Sequence, residues 1–457
     1  MSIHFDAIII GTGQAGPSLA KRLTGAGMKV AIIERKRFGG TCVNTGCIPT
    51  KTLVASAKAI HMARHAQNYG FNTGAVVVDM KKIKERKDGI VASFNQSLES
   101  WLREMKNCTV YQGHAQLENA RTVRVGSDLL EAEKIFLNVG ARAAKPPIPG
   151  LDEVGYLTNS SMMAVDFLPP HLIILGGSYV GLEFGQMYRR FGSDVTIIER
   201  MPHLISREDP DISDGVRHIL EAEGIHILTE ARVTEAQKRG TQIALKVTVK
   251  GEAREVTGSH VLAAVGRVPN TGDLGLEKAG VAVDEKGYIK VDDQLRTNGP
   301  AIWALGDANG KGAFTHTSYN DYEIVAANLL DNDPRRVSDR IPAYNVYIDP
   351  PLGRVGMNET AVRKSGRKAL IGTRPMTKVS RAVEKGETQG FMKVLVDAES
   401  KRILGASLLG VECDEVIHSI LDVMYANAPY TVIQRAMHIH PTVSELVPTI
   451  LGEMKPL

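Results

Sequence analysis

Four cysteines and two tryptophans in 457 residues, with an aromatic share of 5%, are low counts, and each excludes something. Four cysteines with no framework spacing do not staple a chain of this length, so its fold rests on buried apolar surface. In a reducing compartment a close cysteine pair is catalytic or metal-binding before it is structural. No window approaches the roughly 18 apolar residues of a membrane span. No block of like charge stands out either: Lys plus Arg exceeds Asp plus Glu by only 4, and the basic residues are scattered. Membrane insertion and nucleic-acid binding are therefore not expected. The segment Met1 to Asp6 has no basic region, and the apolar run Ala7 to Ile10 is too short for a signal peptide, so a cytoplasmic location is expected.

What is present in excess is glycine, at 44 residues, above the roughly 7% norm. Length suggests about three domains. Residues 8–35 and 173–200 align without a gap at an offset of 165, with ten identities that include Gly11/Gly176, Gly16/Gly181 and Glu34/Glu199. Each copy reads as strand, glycine turn, helix, second strand and a carboxyl-end acid, the dinucleotide-binding βαβ fingerprint. Gly11 makes the tight turn, Gly13 lets the backbone approach a pyrophosphate, and Gly16 packs helix on strand. Phosphate then sits on the helix N-terminus. In the second copy Gly176 and Gly181 keep these places, while Ser178 stands where the middle glycine is expected. In both, the Glu follows the last glycine by 18 residues, close to the roughly 20 expected of an acid that binds a ribose hydroxyl. The repeat predicts two nucleotide sites.

Between the first fingerprint and its crossover lies Gly39-Gly40-Thr41-Cys42-Val43-Asn44-Thr45-Gly46-Cys47-Ile48-Pro49-Thr50-Lys51, followed by an alanine-rich helical stretch. Five residues of regular helix rise about 7.5 Å and turn about 140°, too far and too divergent for a disulfide. For the two cysteines to pair, the helix start must be distorted, and Gly46 and Pro49 permit that. A cysteine near a helix N-terminus has its thiolate favoured by the free N–H groups, which suits a redox nucleophile. A rival is zinc: Cys42, Cys47, His61 and His65 have the spacing C-x4-C-x13-H-x3-H. A zinc finger needs a hairpin where Thr50 to Arg64 reads as helix, so no metal site is expected and His61 and His65 are read as one solvated helix face. Cys108, in a strand-like run, and Cys413, at the start of a helix, are read as small buried residues.

Taken together the chain resembles the class I pyridine nucleotide-disulfide oxidoreductases, the flavoproteins that include dihydrolipoamide dehydrogenase, glutathione reductase and mercuric reductase. The stretch Gly39 to Lys51 carries most of this resemblance. Gly140 after Phe136 to Val139, Ala264 to Asn270, Ala304-Leu305-Gly306-Asp307 and His440-Pro441-Thr442-Val443-Ser444-Glu445 add to it. The resemblance implies an α/β fold with two Rossmann-like domains and a C-terminal α+β dimerisation domain. It places FAD on residues 1–150 and 271–340, the nicotinamide nucleotide on 151–270, and homodimerisation on 341–457. It implies Glu34 on the adenosine ribose of FAD, Asp307 on the flavin's ribityl and pyrophosphate region, and Gly40, Thr41, Gly140, Gly266 and Gly306 among the cofactor-contacting residues. Lys51 and Glu183 match an ion pair beside the flavin, and Tyr179 a gate over the nicotinamide pocket. Cys42 and Cys47 match the redox disulfide, with Cys47 nearer the flavin and Cys42 free to meet substrate. His440 and Glu445 match a proton-managing pair that serves the partner subunit, and Thr442 to Glu445 also reads as a capping box opening a final helix.

The implied reaction passes hydride from NADH or NADPH through FAD to the disulfide and on to a small-molecule disulfide, dithiol or metal ion. Glu199 favours the free 2′-hydroxyl of NADH, whereas adjacent Arg200 suits the phosphate of NADPH, and the balance leans to NADH. Arg207 to Pro210, Pro350 to Gly356 and Phe314 to Asp321 lean toward the mercuric-reductase-like branch. The sequence ends Leu451 to Leu457 with no vicinal cysteine pair, which speaks against Hg2+ as the natural substrate. Dihydrolipoyl dehydrogenase is the nearest alternative, and an NAD(P)H oxidase or diaphorase a further one.

Overall fold

A computed structural model describes residues 2–457, which divide into two compact units. Of the described residues, the first unit comprises 2–52, 82–144 and 266–340. Its centre is the strand Ile3–Ile10, whose last residues Ala7 to Ile10 are an unbroken apolar run buried on both faces, as parallel strands require. Val30–Glu34 and then Cys108–Gln112 pair parallel on one side of it. On the other side lies Asp128–Leu137, which also takes Ile302–Ala304 in parallel. Thr122–Val125 and Ala115–Leu117 complete this seven-stranded sheet in antiparallel pairing. The helices Ala15–Gly25 and Thr315–Ala326 bury Leu19, Leu23, Ile324 and Val325 against its strands.

The second unit comprises residues 53–81, 145–265 and 341–457. It repeats the first motif in smaller form: a four-stranded parallel sheet ordered His226–Leu228, Asp194–Ile198, His171–Leu175 and His260–Ala263, with the helix Tyr179–Phe191 after the third of these. A three-stranded antiparallel sheet spans Ala231–Arg239, Gln242–Val249 and Glu252–Gly258. A six-stranded antiparallel sheet follows, built from segments between Ala343 and Pro456 and covered by the helix Cys413–Tyr425 through Val416, Ile417 and Ile420. Among the described residues no helix is long and apolar enough to cross a membrane.

Candidate functional site

In the first unit the strand Ile3–Ile10 runs into the turn at Gly11, whose φ of +105° belongs to the left-handed region. At Gly16 a Cβ would lie 2.3 Å from the Gly11 carbonyl oxygen, so only glycine lets the helix pack this closely. The second unit repeats the geometry: Gly176 has φ +111°, and a Cβ at Gly181 would lie 2.0 Å from the Gly176 oxygen. Ser178 adopts φ −106°, an extended conformation open to any residue, so the missing glycine costs no backbone strain.

The repeat extends to the acids. Glu34 accepts hydrogen bonds from Thr12 N at 3.1 Å, Thr12 Oγ1 at 2.6 Å and Lys36 N at 2.9 Å. Glu199 accepts from Gly177 N at 2.6 Å and Met201 N at 2.8 Å, the positions related to Thr12 and Lys36 by the same offset. Each carboxylate is thus fixed across its own glycine turn, at the carboxyl end of the second strand. Arg200 is exposed beside Glu199, whereas its counterpart Arg35 pairs with Asp273 at 3.2 Å.

The first unit also contains the fit for a flavin dinucleotide. Asn138 is buried at the end of the Asp128–Leu137 strand, and its Nδ2 has no partner among the described residues. That nitrogen lies 3.2 and 3.1 Å from where Cβ atoms at Gly13 and Gly16 would stand, and its Oδ1 lies 3.2 Å from the same point at Gly306. An orphaned donor where two glycine turns converge is what a bound polar group satisfies. Gly40 belongs to the same surface: a Cβ there would lie 3.0 Å from Gly13 Cα. Asp307 accepts from Arg267 Nη2 at 3.0 Å, and Arg267 also donates to Ala141 O at 2.7 Å. Burial raises Asp307 above its ordinary carboxylate value, against the pull of Arg267. Gly140 and Gly266 flank the two-stranded pairing of Ala141–Ala143 with Arg267–Pro269, and both have positive φ.

The expected distortion between the cysteines is a break. One helix spans Gly40–Asn44, holding Thr41 and Cys42, and a second begins at Cys47 and runs to Arg64. Gly46 fills the gap because a Cβ would lie 2.9 Å from the Thr41 oxygen. The chain is thereby folded back enough for the Cys42 thiol to hydrogen-bond to the Cys47 sulfur. Both are thiols in this structure and both are half-buried. Cys47 is lowered to about 6 by the Cys42 hydrogen bond, against burial, with further help from the Thr315 hydroxyl at 3.0 Å and the charge of Lys51 one turn on. Cys42 is pushed up by its hydrogen bond to Cys47 and by burial. The two shifts run in opposite directions, so Cys47 is the more acidic thiol of the pair.

In the second unit Tyr179 opens the helix Tyr179–Phe191 and is partly exposed. Glu183, one turn later, is buried and accepts from Tyr347 N at 3.0 Å. His440 is exposed, and its Nδ1 lies 3.1 and 3.0 Å from the two carboxylate oxygens of Glu445. The capping box forms only in part. Glu445 N donates to Thr442 Oγ1 at 3.2 Å, but the Glu445 carboxylate turns to His440. The final helix, Val447–Gly452, starts only after a 3-10 turn at Ser444–Leu446.

Other readings change. His65 is exposed as expected, but His61 is half-buried, lies against His65 with ring centroids 4.2 Å apart and planes tilted by 35°, and is lowered to about 4 by burial and then by the Arg190 charge. Among the described residues no group of three or more metal-ligating side chains converges. Two of the passages read as branch markers meet each other: Arg354 donates to Glu208 at 3.0 Å, both buried, and Tyr344 donates to the same carboxylate. The third, Phe314 to Asp321, supplies Thr315 to Cys47 and Asp321 to the Gly306 N–H at 2.7 Å. Sequence reasoning missed Thr12, Asn138 and Thr315. Asn138 had a signal, a lone amide ending an apolar strand; Thr315 had none, since a hydroxyl at a helix start reads as a cap.

Residues 5–321 match the pyridine nucleotide-disulphide oxidoreductase family and residues 342–450 its dimerisation domain. Across 99% of both chains the sequence is 38% identical to the probable pyridine nucleotide-disulfide oxidoreductase RclA of Escherichia coli strain K12. The mercuric reductase of Staphylococcus aureus is 30% identical over 91% of this chain and 76% of its own. The dihydrolipoyl dehydrogenase of Thermus scotoductus is 31% identical over 96% and 95%. Among solved structures, the HOCl-induced flavoprotein disulfide reductase RclA from Escherichia coli aligns with a TM-score of 0.90 at 37% identity, covering 98% of this chain and 99% of that one. A Cu(II) complex of that protein gives the same figures. The fold is accordingly glutathione reductase-like, with a C-terminal dimerisation domain.

Proposed function

The chain belongs to the pyridine nucleotide-disulphide oxidoreductase family, and from that membership we propose that it carries two electrons from NADH or NADPH, through FAD, to a Cys42–Cys47 disulfide and on to an acceptor. The observation that carries this reading is the thiol pair itself: two half-buried sulfurs of opposite acidity shift, with Cys47 at the start of an 18-residue helix and 3.0 Å from the Thr315 hydroxyl. In this reading residues 1–150 and 271–340 hold FAD, 151–270 hold the nicotinamide nucleotide, and 341–457 form a homodimer.

FAD, when bound, supplies two-electron exchange between a nicotinamide hydride and a disulfide. Glu34 holds its adenosine ribose, since Oε1 accepts only one bond from the chain and keeps a lone pair for a hydroxyl. With FAD bound, Gly11, Gly13, Gly16 and the Asn138 amide would receive the pyrophosphate, and Asp307 with Gly306 the ribityl and pyrophosphate region. Gly176, Ser178, Gly181 and Glu199 do the same for the nicotinamide nucleotide, with Tyr179 over its pocket. Lys51 and Glu183 serve the reducing end of the relay.

Two electrons and one proton open the disulfide to a Cys42 thiol and a Cys47 thiolate. With an acceptor disulfide, His440 of the partner subunit, oriented by Glu445, takes the Cys42 proton. The Cys42 thiolate attacks one acceptor sulfur, and the expelled thiolate recovers that proton. Cys47 then attacks Cys42, re-forming the disulfide and releasing the second thiolate. A metal acceptor balances differently: two Cu2+ ions each take one electron, the disulfide re-forms, and the Cys42 proton leaves. Cu2+ enters because RclA has been solved as a Cu(II) complex. The same relay run backwards oxidises a dithiol, the reaction named for the dihydrolipoyl dehydrogenase relative.

The test is anaerobic titration with NADH, followed by turnover on glutathione disulfide, lipoamide, Cu2+ and Hg2+. Uptake of four electrons per subunit, and loss of turnover on the best acceptor in Cys42→Ser, are expected. Full turnover on that acceptor in Cys42→Ser overturns the reading and leaves an oxidase or diaphorase.

A further inference from the structure

We infer that Thr315 is a positioning residue whose hydroxyl holds the negative charge of the reduced cysteine pair on Cys47. The inference rests on the proposed redox role of that pair. Thr315 Oγ1 lies 3.0 Å from Cys47 Sγ. Once Cys47 is ionised its sulfur only accepts, so the hydroxyl donates. Thr315 is the first residue of the helix Thr315–Ala326 and Cys47 the first of Cys47–Arg64, so two helix N-termini meet at one sulfur. Each end favours negative charge there.

The hydroxyls of this turn are divided in their work. Thr317 Oγ1 donates to Phe314 O at 2.7 Å and accepts from Phe314 N at 3.1 Å, which closes the turn. Farther along the helix Asp321 receives Gly306 N at 2.7 Å and Asn309 Nδ2 at 2.9 Å, anchoring the helix to the loop before it. The Thr315 hydroxyl, by contrast, reaches the cysteines from this anchored base. It touches Cys42 as well, but there the hydrogen bond to Cys47 and burial outweigh it and keep the proton. The consequence is a division of labour between two chemically identical thiols: Cys47 stores charge and Cys42 remains the protonated, exchanging partner.

The experiment is site-resolved alkylation of the reduced holoenzyme by iodoacetamide as a function of pH, for wild type, Thr315→Val and Thr315→Ser. Valine keeps the shape and removes the donor; serine restores the donor. A hydrogen bond to a charged group is large enough to move the Cys47 midpoint up by about one pH unit in Thr315→Val, a tenfold loss of thiolate below the midpoint. Thr315→Ser should stay near wild type. An unchanged midpoint in Thr315→Val, or one in Thr315→Ser shifted equally far, overturns the inference. A purely structural role for Thr315 changes the alkylation of both cysteines alike and is not rescued by serine. Wild-type enzyme in which NADH bleaches the flavin while Cys42 and Cys47 stay closed to iodoacetamide removes instead the redox role of the pair, independently of the titration.

Discussion

His440 Nδ1 faces both carboxylate oxygens of Glu445, at 3.1 and 3.0 Å, and the bond fixes which ring nitrogen is left for chemistry. With Nδ1 engaged, Nε2 is the nitrogen free to take and return a proton on the exposed side of the ring. His440→Ala should therefore lower kcat/KM for a disulfide acceptor by about 10²–10⁴-fold, and Glu445→Gln by less, because the amide still orients the ring. Quinone reduction, which needs no thiol exchange, should be unchanged in both. Equal losses on quinone and disulfide would remove His440 from the exchange step.

The two cysteines differ in ionisation, so their serine variants should differ in reactivity. In Cys47→Ser the remaining Cys42 loses the neighbouring thiolate that pushes it up, and its alkylation at pH 7 should accelerate. In Cys42→Ser the remaining Cys47 loses its strongest hydrogen bond, and its thiolate should form only at higher pH than in the wild type. Alkylation rates against pH on each single-thiol variant check both directions. Identical profiles would mean that the pair is not asymmetric.

Glu199 is held across its turn by Gly177 N and Met201 N, with Arg200 exposed beside it. A carboxylate fixed there repels a 2′-phosphate and accepts from a free hydroxyl. Steady-state kinetics should show a higher kcat/KM with NADH than with NADPH, and Glu199→Ala should narrow the ratio by about tenfold, the effect of roughly 1.4 kcal/mol. A strong NADPH preference in the wild type would defeat the argument from Glu199.

Parts of this arrangement were legible in the sequence because local chemistry dictates them. The Gly16 and Gly181 contacts follow from the need for a bare Cα where helix meets strand, and the 18-residue spacing to Glu34 and Glu199 is the length of the motif itself. The break between Cys42 and Cys47 followed from helix geometry. What stayed hidden depends on long-range approach. Thr315 is 268 residues from Cys47, and Arg354 is 146 from Glu208, and no periodicity encodes such meetings. His61 misled for the same reason: its neighbours Arg190, near the end of the helix Tyr179–Phe191, and Glu223, the cap of the helix Pro210–Ala222, are both distant in sequence. Glu445 satisfied a capping pattern, but a nearby imidazole competed for the carboxylate and won.

Arg190 is a buried cation in the second unit, pairing with Glu223 at 2.7 Å and Asp349 at 2.6 Å. Removing it leaves two carboxylates out of water with a lost partner, a situation that costs about 3–5 kcal/mol. Asp349 keeps Lys58 at 3.0 Å, so Arg190→Met should fall at the lower end of that range. Urea denaturation with unchanged slope and a reduced midpoint is the expected result. A loss below about 1 kcal/mol, the size of an exposed pair, would mean that solvent reaches this network.

His61 should make stability depend on pH in a defined window. Burial, then the Arg190 charge, lowers it from its ordinary value of 6.5 to about 4 in the folded chain. Between those values the unfolded chain binds the proton and the folded chain does not, so stability rises with pH across the window. Its contribution is therefore whole above pH 6.5 and drains away as pH falls toward 4. His65, Glu223 and Asp349 also face His61, the first opposing its proton and the two acids favouring it, so the window belongs to the cluster. Thermal unfolding at half-unit steps from pH 4 to 7 should show a shallower decline in His61→Gln than in the wild type, the two curves differing most at the acid end. Parallel curves across that range would mean that His61 titrates in the folded chain as it does in the unfolded one.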